Sequence, residues 1–407
     1  MPATTDSAEG DRRDGHRSRR IVAAGPQLMR AMNEQLMLEQ VRTAGPVSRA
    51  ELARISGLSK PTVAVALSNL ERDGLVQVAG LRTGVRGPAA VLYEIRPEAG
   101  FVLGLDVGRE FLRGALCDLS GAVRARASRR VHAASGQTRV KEMVSLADEM
   151  AATAGIRRSR LTQVVVGTPG VYDPERGALT MARNLPGWEK PGVVNELRQV
   201  FGRSTVLEND VNLAALAERD HGHGRDVSTF CFVHVGTGIG MGLVIDGRLH
   251  RGAHRAAGEI AFLPLGTTPG VAESEVRRHG ELEARVSAAA VVRAARRGGI
   301  RGSASARRVF QAAQAGDATA TAVVEEEARL VARAVAAIVA VLDPERIVLG
   351  GGIGRAPGFA SRVAQALEAV AVVAPELRVS ALGDDAVVDG CLAAGMERAW
   401  QTVLQRH

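Results

Sequence analysis

The stretch SRAELARISGLSKPTVAVALSNLERDGLV, residues 48–76, carries two helix starts and one sharp break. Ser48 followed by Glu51 is a capping box, in which hydroxyl and carboxylate satisfy orphan amides at a helix start. A helix is therefore predicted from Arg49 to about Ile55, broken at Ser56-Gly57-Leu58. Ser59 caps a second helix, and Pro61 is tolerated in its first turn, where the amide has no partner anyway. Val63, Leu67 and Leu70 fall at i, i+4 and i+7, one buried face, and Gly74 ends the helix. Two short helices joined by a tight glycine turn form a helix-turn-helix, with the start of the second helix facing the DNA major groove.

Ser59, Lys60 and Thr62 lie at that start, away from the buried face. Hydroxyls and an ammonium there suit phosphate oxygens and base edges. Downstream, LVQVAG and AVLYEI read as strands flanking LRTGVRGPA, a wing whose Arg82 and Arg86 face the DNA backbone. Upstream, residues 33–44 (NEQLMLEQVRTA) form an amphipathic helix that stops at Gly45-Pro46. A helical docking module is the bland alternative, but it leaves the wing and its arginines without a role. The winged helix-turn-helix, α+β and mainly helical, is assigned to 26–97. Residues 1–25 hold five Arg and four Asp/Glu with little to bury, and are predicted to be a disordered arm.

The chain has 407 residues, a formal net charge of +8 and a pI near 10.3, which favours an anionic partner such as nucleic acid. Charge alone settles little, because only Lys60, Lys141 and Lys190 are lysines among 52 basic residues, an arginine bias that G/C-rich coding also produces. No apolar run approaches the roughly 20 residues needed to cross a bilayer, and no signal peptide opens the chain. Cys117, Cys231 and Cys391 are scattered singly, as expected of a reducing cytoplasm rather than of a disulfide framework or metal site.

From residue 101 the pattern changes to strands and glycine turns. FVLGLDVGREFLRGALCDLSG (101–121) reads strand, turn, strand, with Asp106 at the first bend. VVVGTPGVYD (164–173), CFVHVGTGIGMGLVIDG (231–247) and IVLGGGI (347–353) repeat the junction, and a long helix is predicted over 318–342. Such junctions let backbone amides approach anions closely. Alternating strands and helices predict an α/β body over 98–407 with a cleft between two lobes. In VLENDVNLAALAERD (206–220), Asp210 reads either as the N-cap of a helix over 211–218 or as a carboxylate facing that cleft. Trp188 is expected to pack near the cleft mouth.

In this order the motifs resemble the ROK family, sugar kinases and sugar-responsive repressors on an actin-like ATPase fold, across about residues 30–400. The resemblance implies phosphate-loop remnants at Asp106-Val107-Gly108 and Gly236-Thr237-Gly238-Ile239-Gly240, and an adenosine loop at Leu349-Gly350-Gly351-Gly352. It further implies sugar contacts from Asn184, Asn209, Asp210, Glu259 and Glu283, Asp210 standing at the family's catalytic base.

Departures from the family pattern carry as much information. DVGRE puts Arg109 and Glu110 where kinases carry Gly-Thr, so the Glu110 carboxylate is predicted to face the ATP γ-phosphate and repel it. GEIAF puts Phe262 at a histidine position, and 263–283 lacks the zinc-binding cysteines, so no structural zinc is expected and ATP/Mg²⁺ binding is doubtful. The resulting expectation is a cytoplasmic bacterial transcriptional repressor rather than an enzyme. It would bind a double-stranded DNA operator and a sugar or sugar-phosphate effector as a homodimer or homotetramer, without membrane attachment. Two alternatives stay open: an ATP-dependent sugar kinase with a DNA-binding head, and a regulator answering to a non-sugar metabolite.

Overall fold

The computed structural model describes residues 25–83, 89–131, 135–182, 185–266, 272–300 and 305–405. The arm at 1–25, apart from Gly25, lies outside these residues, as do Arg86 and Asn184. Two compact units part between Ile95 and Arg96.

The first unit runs α1 (Pro26–Ala44), β1 (Val47–Ser48), α2 (Arg49–Ser56), α3 (Lys60–Arg72), β2 (Val76–Arg82) and β3 (Ala90–Ile95). Helix α1 starts well before residue 33, because Pro26 is favourable at a first helical position. The capping box is present: Ser48 Oγ accepts the Glu51 amide at 3.3 Å and the Glu51 carboxylate accepts the Ser48 amide at 2.9 Å. Gly57, at φ 72°, closes α2 in the left-handed region. Strand β1 extends the predicted hairpin to a sheet of order β1-β3-β2. Met37, Leu38 and Val41 of α1, Leu52 of α2, Val63, Leu67 and Leu70 of α3, and Tyr93 of β3 make the core.

The second unit opens with β4 (Phe101–Val107), β5 (Phe111–Asp118), β6 (Val123–Arg130), α4 (Gly136–Thr153), β7 (Leu161–Thr168), β8 (Val171–Asp173), β9 (Ala178–Thr180), α5 (Val193–Phe201), β10 (Val206–Asn209) and α6 (Asp210–His221). It continues with β11 (Phe230–Val235), β12 (Ile239–Ile245), β13 (Arg248–Leu249), α7 (Glu273–His279), α8 (Ala288–Arg297), α9 (Ala306–Gln314) and α10 (Ala318–Leu342). It ends with β14 (Arg346–Gly350), α11 (Gly351–Gly354), α12 (Phe359–Glu368), β15 (Glu376–Val379) and α13 (Ala386–Gln405). Two sheets follow one plan: β10-β7-β4-β5-β6 in the first lobe and β15-β14-β11-β12-β13 in the second. In each, a three-stranded meander is followed by two parallel additions. The repeat sets Asp106-Val107-Gly108 and His234-Val235-Gly236 at corresponding places, each at the end of a first strand.

The helices closing the two lobes exchange sheets. Helix α6 follows the first sheet but packs on β11 and β12, whereas α13 follows the second sheet and packs on β4 and β7; the two helices also pack on each other. Close approach requires glycine at the contacts. A Cβ on Gly242 would lie 2.6 Å from the Val211 carbonyl oxygen, and one on Gly390 would collide with the carbonyl of Leu213. Half of the glycine-rich stretch 236–242 therefore serves helix packing on β12 rather than a phosphate loop. Gly390→Ala is expected to cost about 1–3 kcal/mol through overpacking, read as a lowered melting temperature with a folded circular dichroism spectrum.

Candidate functional site

A cleft of about 1020 Å³ opens between the lobes of the second unit. The expected residues Asp106, Gly108, Asn209, Asp210, Gly236, Thr237, Gly238, Glu259, Glu283 and Gly351 all line it, with Arg109 and Phe262. Trp188 is fully buried within the first lobe and donates its indole N–H to Thr168 Oγ1 at 2.7 Å.

Asn209, not Asp210, caps α6. Its Oδ1 accepts the amides of Val211 at 2.9 Å and Asn212 at 3.2 Å, while its Nδ2 donates to the Gly170 carbonyl at 3.1 Å. An Asn in extended backbone one residue earlier reaches both amides, so the helix begins at Asp210. Asp210 is thus freed to present its carboxylate to the cleft while one oxygen takes the Val211 amide at 2.9 Å. Burial raises its pKa, against the pull of His234 and of that amide. Just before the cap, buried Glu208 accepts from Asn212 Nδ2 at 3.0 Å and pairs with Arg251 at 2.6 Å. This pair ties the end of β10 to the loop leading to Glu259.

Glu259 lines the cleft, and among the described residues its carboxylate, unlike its backbone, makes no hydrogen bond. Burial raises its pKa, and the charges of Asp210 and Glu283 push the same way. Glu283 accepts the Ile239 amide at 3.2 Å and lies 3.2 Å from His279 Nδ1. Its pKa is also raised by burial, against those two contacts. A charged group without a partner in such a setting is expensive, and hydroxyl donors from a polyol would repay that cost. Among the described residues, no group of three His, Cys, Asp or Glu side chains is placed to hold a metal ion.

The other end of the cleft holds the glycine loops. Asp106 lies within β4 rather than at its bend, cross-strand from Arg113, whose guanidinium approaches its carboxylate to 3.3 Å. Burial and the charge of Asp210 nevertheless push the Asp106 pKa up to about 7. Buried Arg139 holds the loop from behind through the Gly108 carbonyl at 2.7 Å. Glu110 does not face this end: its exposed carboxylate pairs with Arg130 at 3.5 Å and is absent from the cleft lining. The turn after β4 carries it outward, because Gly108 bonds back to Phe111 and the intervening side chains stay at the tip.

His234 escaped the sequence reading. It lines the cleft from β11, between the glycine loops: a Cβ on Gly236 would lie 2.8 Å from its Nε2 and one on Gly351 3.0 Å from its Cε1. Burial lowers its pKa despite the pull of Asp210. A lone His in the apolar run CFVHV reads as core; only the repeat, setting HVG against DVG, marks it.

In the first unit, Ser59 and Lys60 are exposed at the start of α3 and Thr62 is half-buried. Ser59 Oγ accepts the Thr62 amide at 3.3 Å and lies 2.8 Å from Thr62 Oγ1, so both hydroxyls also serve the cap. Val65, 56% exposed, lies on the same helix. Arg82 pairs with Glu51 at 2.7 Å, tying the base of the wing to α2.

The carboxylate end of the cleft makes stability depend on pH. A carboxyl whose folded pKa is raised contributes stability at low pH that is lost as pH climbs through its folded value. The ligand-free protein is therefore expected to melt lower at about pH 8 than at about pH 5. Glu259→Gln should raise melting at the higher pH and shrink the difference. Equal effects of the substitution at both pH values would contradict the assignment.

Comparisons with known proteins bear on the family and the fold. The ROK family model matches residues 102–396, and a model of winged helix-turn-helix DNA-binding domains matches 34–77. A putative xylose repressor of Caldicellulosiruptor sp. (strain Rt8B.4) is 25% identical over 239 residues, 58% of this chain and 60% of that protein. The glucokinase of Halalkalibacterium halodurans is 28% identical over 57% of this chain and 76% of that one. Among solved structures, the ROK hexokinase from Thermus thermophilus superposes with a TM-score of 0.63 at 30% identity, covering 73% of this chain and 98% of that one. A ROK family transcriptional regulator, a homologue of the E. coli MLC protein, reaches 0.74 at 22% identity over 93% and 98%. The chain belongs to the ROK family, its ROK body preceded by a winged helix-turn-helix.

Proposed function

We propose that this protein is a sugar-responsive transcriptional repressor, reading an operator through α3 and a sugar or sugar phosphate through the cleft. One observation carries the reading: a single chain joins an exposed α3 start, capped by Ser59, to a cleft where the carboxylates of Asp210, Glu259 and Glu283 share one space and Asn209 fixes the helix start that carries Asp210. Relatives named xylose repressor and NagC, DNA-binding transcriptional dual regulator of Escherichia coli, support it. Ser59, Lys60 and Thr62 would meet phosphates and base edges, with Arg82 and Arg86 on the backbone; Asn184 would join the sugar contacts. A palindromic operator would need two reading heads, hence a homodimer or homotetramer. Effector binding would act by favouring one lobe arrangement.

The reading includes no structural zinc, since His279 is the lone imidazole in its loop and is engaged by Glu283. It also assigns no phosphoryl transfer, with Asp210 as a vestigial base. Hexose phosphorylation that disappears in Asp210→Asn would instead establish the kinase.

Operator binding followed by fluorescence anisotropy tests the reading. Specific affinity should fall as salt rises, and Lys60→Ala with Thr62→Ala should lower it at least about tenfold, the scale of lost base contacts. Glu259→Gln should retain operator binding but no longer respond to the sugar that releases the wild-type protein. Salt-independent binding, or full specificity in the double variant, would refute it.

A further inference from the structure

The phosphate end of the cleft carries its own cations. Arg113 stands cross-strand from Asp106, and in the corresponding hairpin of the second lobe His234 faces Gly240, so the arginine fills space that the sister hairpin leaves open. Its guanidinium is 3.3 Å from Asp106 and 3.6 Å from Asp384, the residue that leads into α13. Asp384 in turn pairs with Arg355 at 2.7 Å, just after α11 in the second lobe. The chain Asp106–Arg113–Asp384–Arg355 therefore runs from one sheet to the other across the mouth of the glycine loops.

A divalent cation carrying nucleotide phosphates needs a carboxylate free to take it, usually one or two alongside phosphate oxygens. Asp106 is the carboxylate at the first phosphate loop, and a guanidinium already claims it. The residues present do not fit a metal-bound nucleotide.

We propose that Arg113 is a resident cation that takes the place of a divalent metal at Asp106, and that the Arg113–Asp384–Arg355 chain fastens the two lobes where a metal-bridged nucleotide would otherwise do so. The inference rests on the ROK-type reading of the cleft. It makes Arg113 the residue that sets ligand specificity: it leaves the polyol end open and closes the phosphate end to metal chelates.

Manganese alone, followed by electron paramagnetic resonance on the full chain, tests this. Wild-type protein should show no Asp106-dependent Mn²⁺ binding. Arg113→Gln should bind Mn²⁺ at least about tenfold more tightly, a gain of about 1.4 kcal/mol, and Asp106→Asn in that background should abolish the gain. Arg113→Lys keeps a cation beside Asp106 and should stay like wild type; Arg113→Met serves as the second uncharged variant should the glutamine fail to fold. Wild-type Mn²⁺ binding that Asp106→Asn removes would overturn the proposal, as would natively melting uncharged variants without the gain. Operator binding by the same preparations reports separately on the regulator, so the failure of one reading does not mask the other.

Discussion

The crossing of α6 and α13 is the contact on which the rest of the second unit depends. Each helix leaves one lobe and packs on the sheet of the other, so the lobes share a single central layer. Interiors pack densely and cannot absorb a misplaced methyl cheaply, which is why glycines stand at 242 and 390. The crossing also fixes the chemistry. Helix α6 begins at Asp210, and Asp384 lies in a 3-10 turn just before α13, so both carboxylates reach the cleft from beside the crossing helices.

Two electrostatic regimes meet in that cleft. At one end Asp210, Glu259 and Glu283 are gathered with little to neutralise them, and burial outweighs the few favourable contacts, so all three are raised above the ordinary carboxylate range. The positive end of the α6 dipole favours a carboxylate at Asp210, but desolvation is the larger influence there. Such an end is poised for hydroxyl donors. At the other end Asp106 and Asp384 meet arginines at close range. One end leaves its carboxylates open to hydroxyl donors, while the other sets guanidinium groups against its own, although burial still pushes Asp106 up to about 7.

Much of this was legible in the sequence where local physics and tertiary structure agree. The capping box at Ser48, the turn at Gly57, the long helix at 318–342 and the strand-to-glycine junctions all follow from short-range rules. The reading faltered where two adjacent residues compete for one role. Asn209 and Asp210 both suit an N-cap, and only the strand register of β10 decides between them. It also faltered where one residue type serves two ends: the glycines of 236–242 divide between a loop and a helix contact. His234 and Arg113 were invisible because their meaning depends on a partner across a strand or a sheet. Glu110 was misplaced for the converse reason, since a loop residue near a site by sequence can still point away from it.

Isothermal titration of the full chain with a panel of sugars and sugar phosphates, and separately with Mg-ATP, tests the central claim most directly. A sugar or sugar phosphate should bind in a manner abolished by Asp210→Asn, and Mg-ATP should produce no heat of binding. Saturable Mg-ATP binding, or a panel in which no polyol binds, would contradict it.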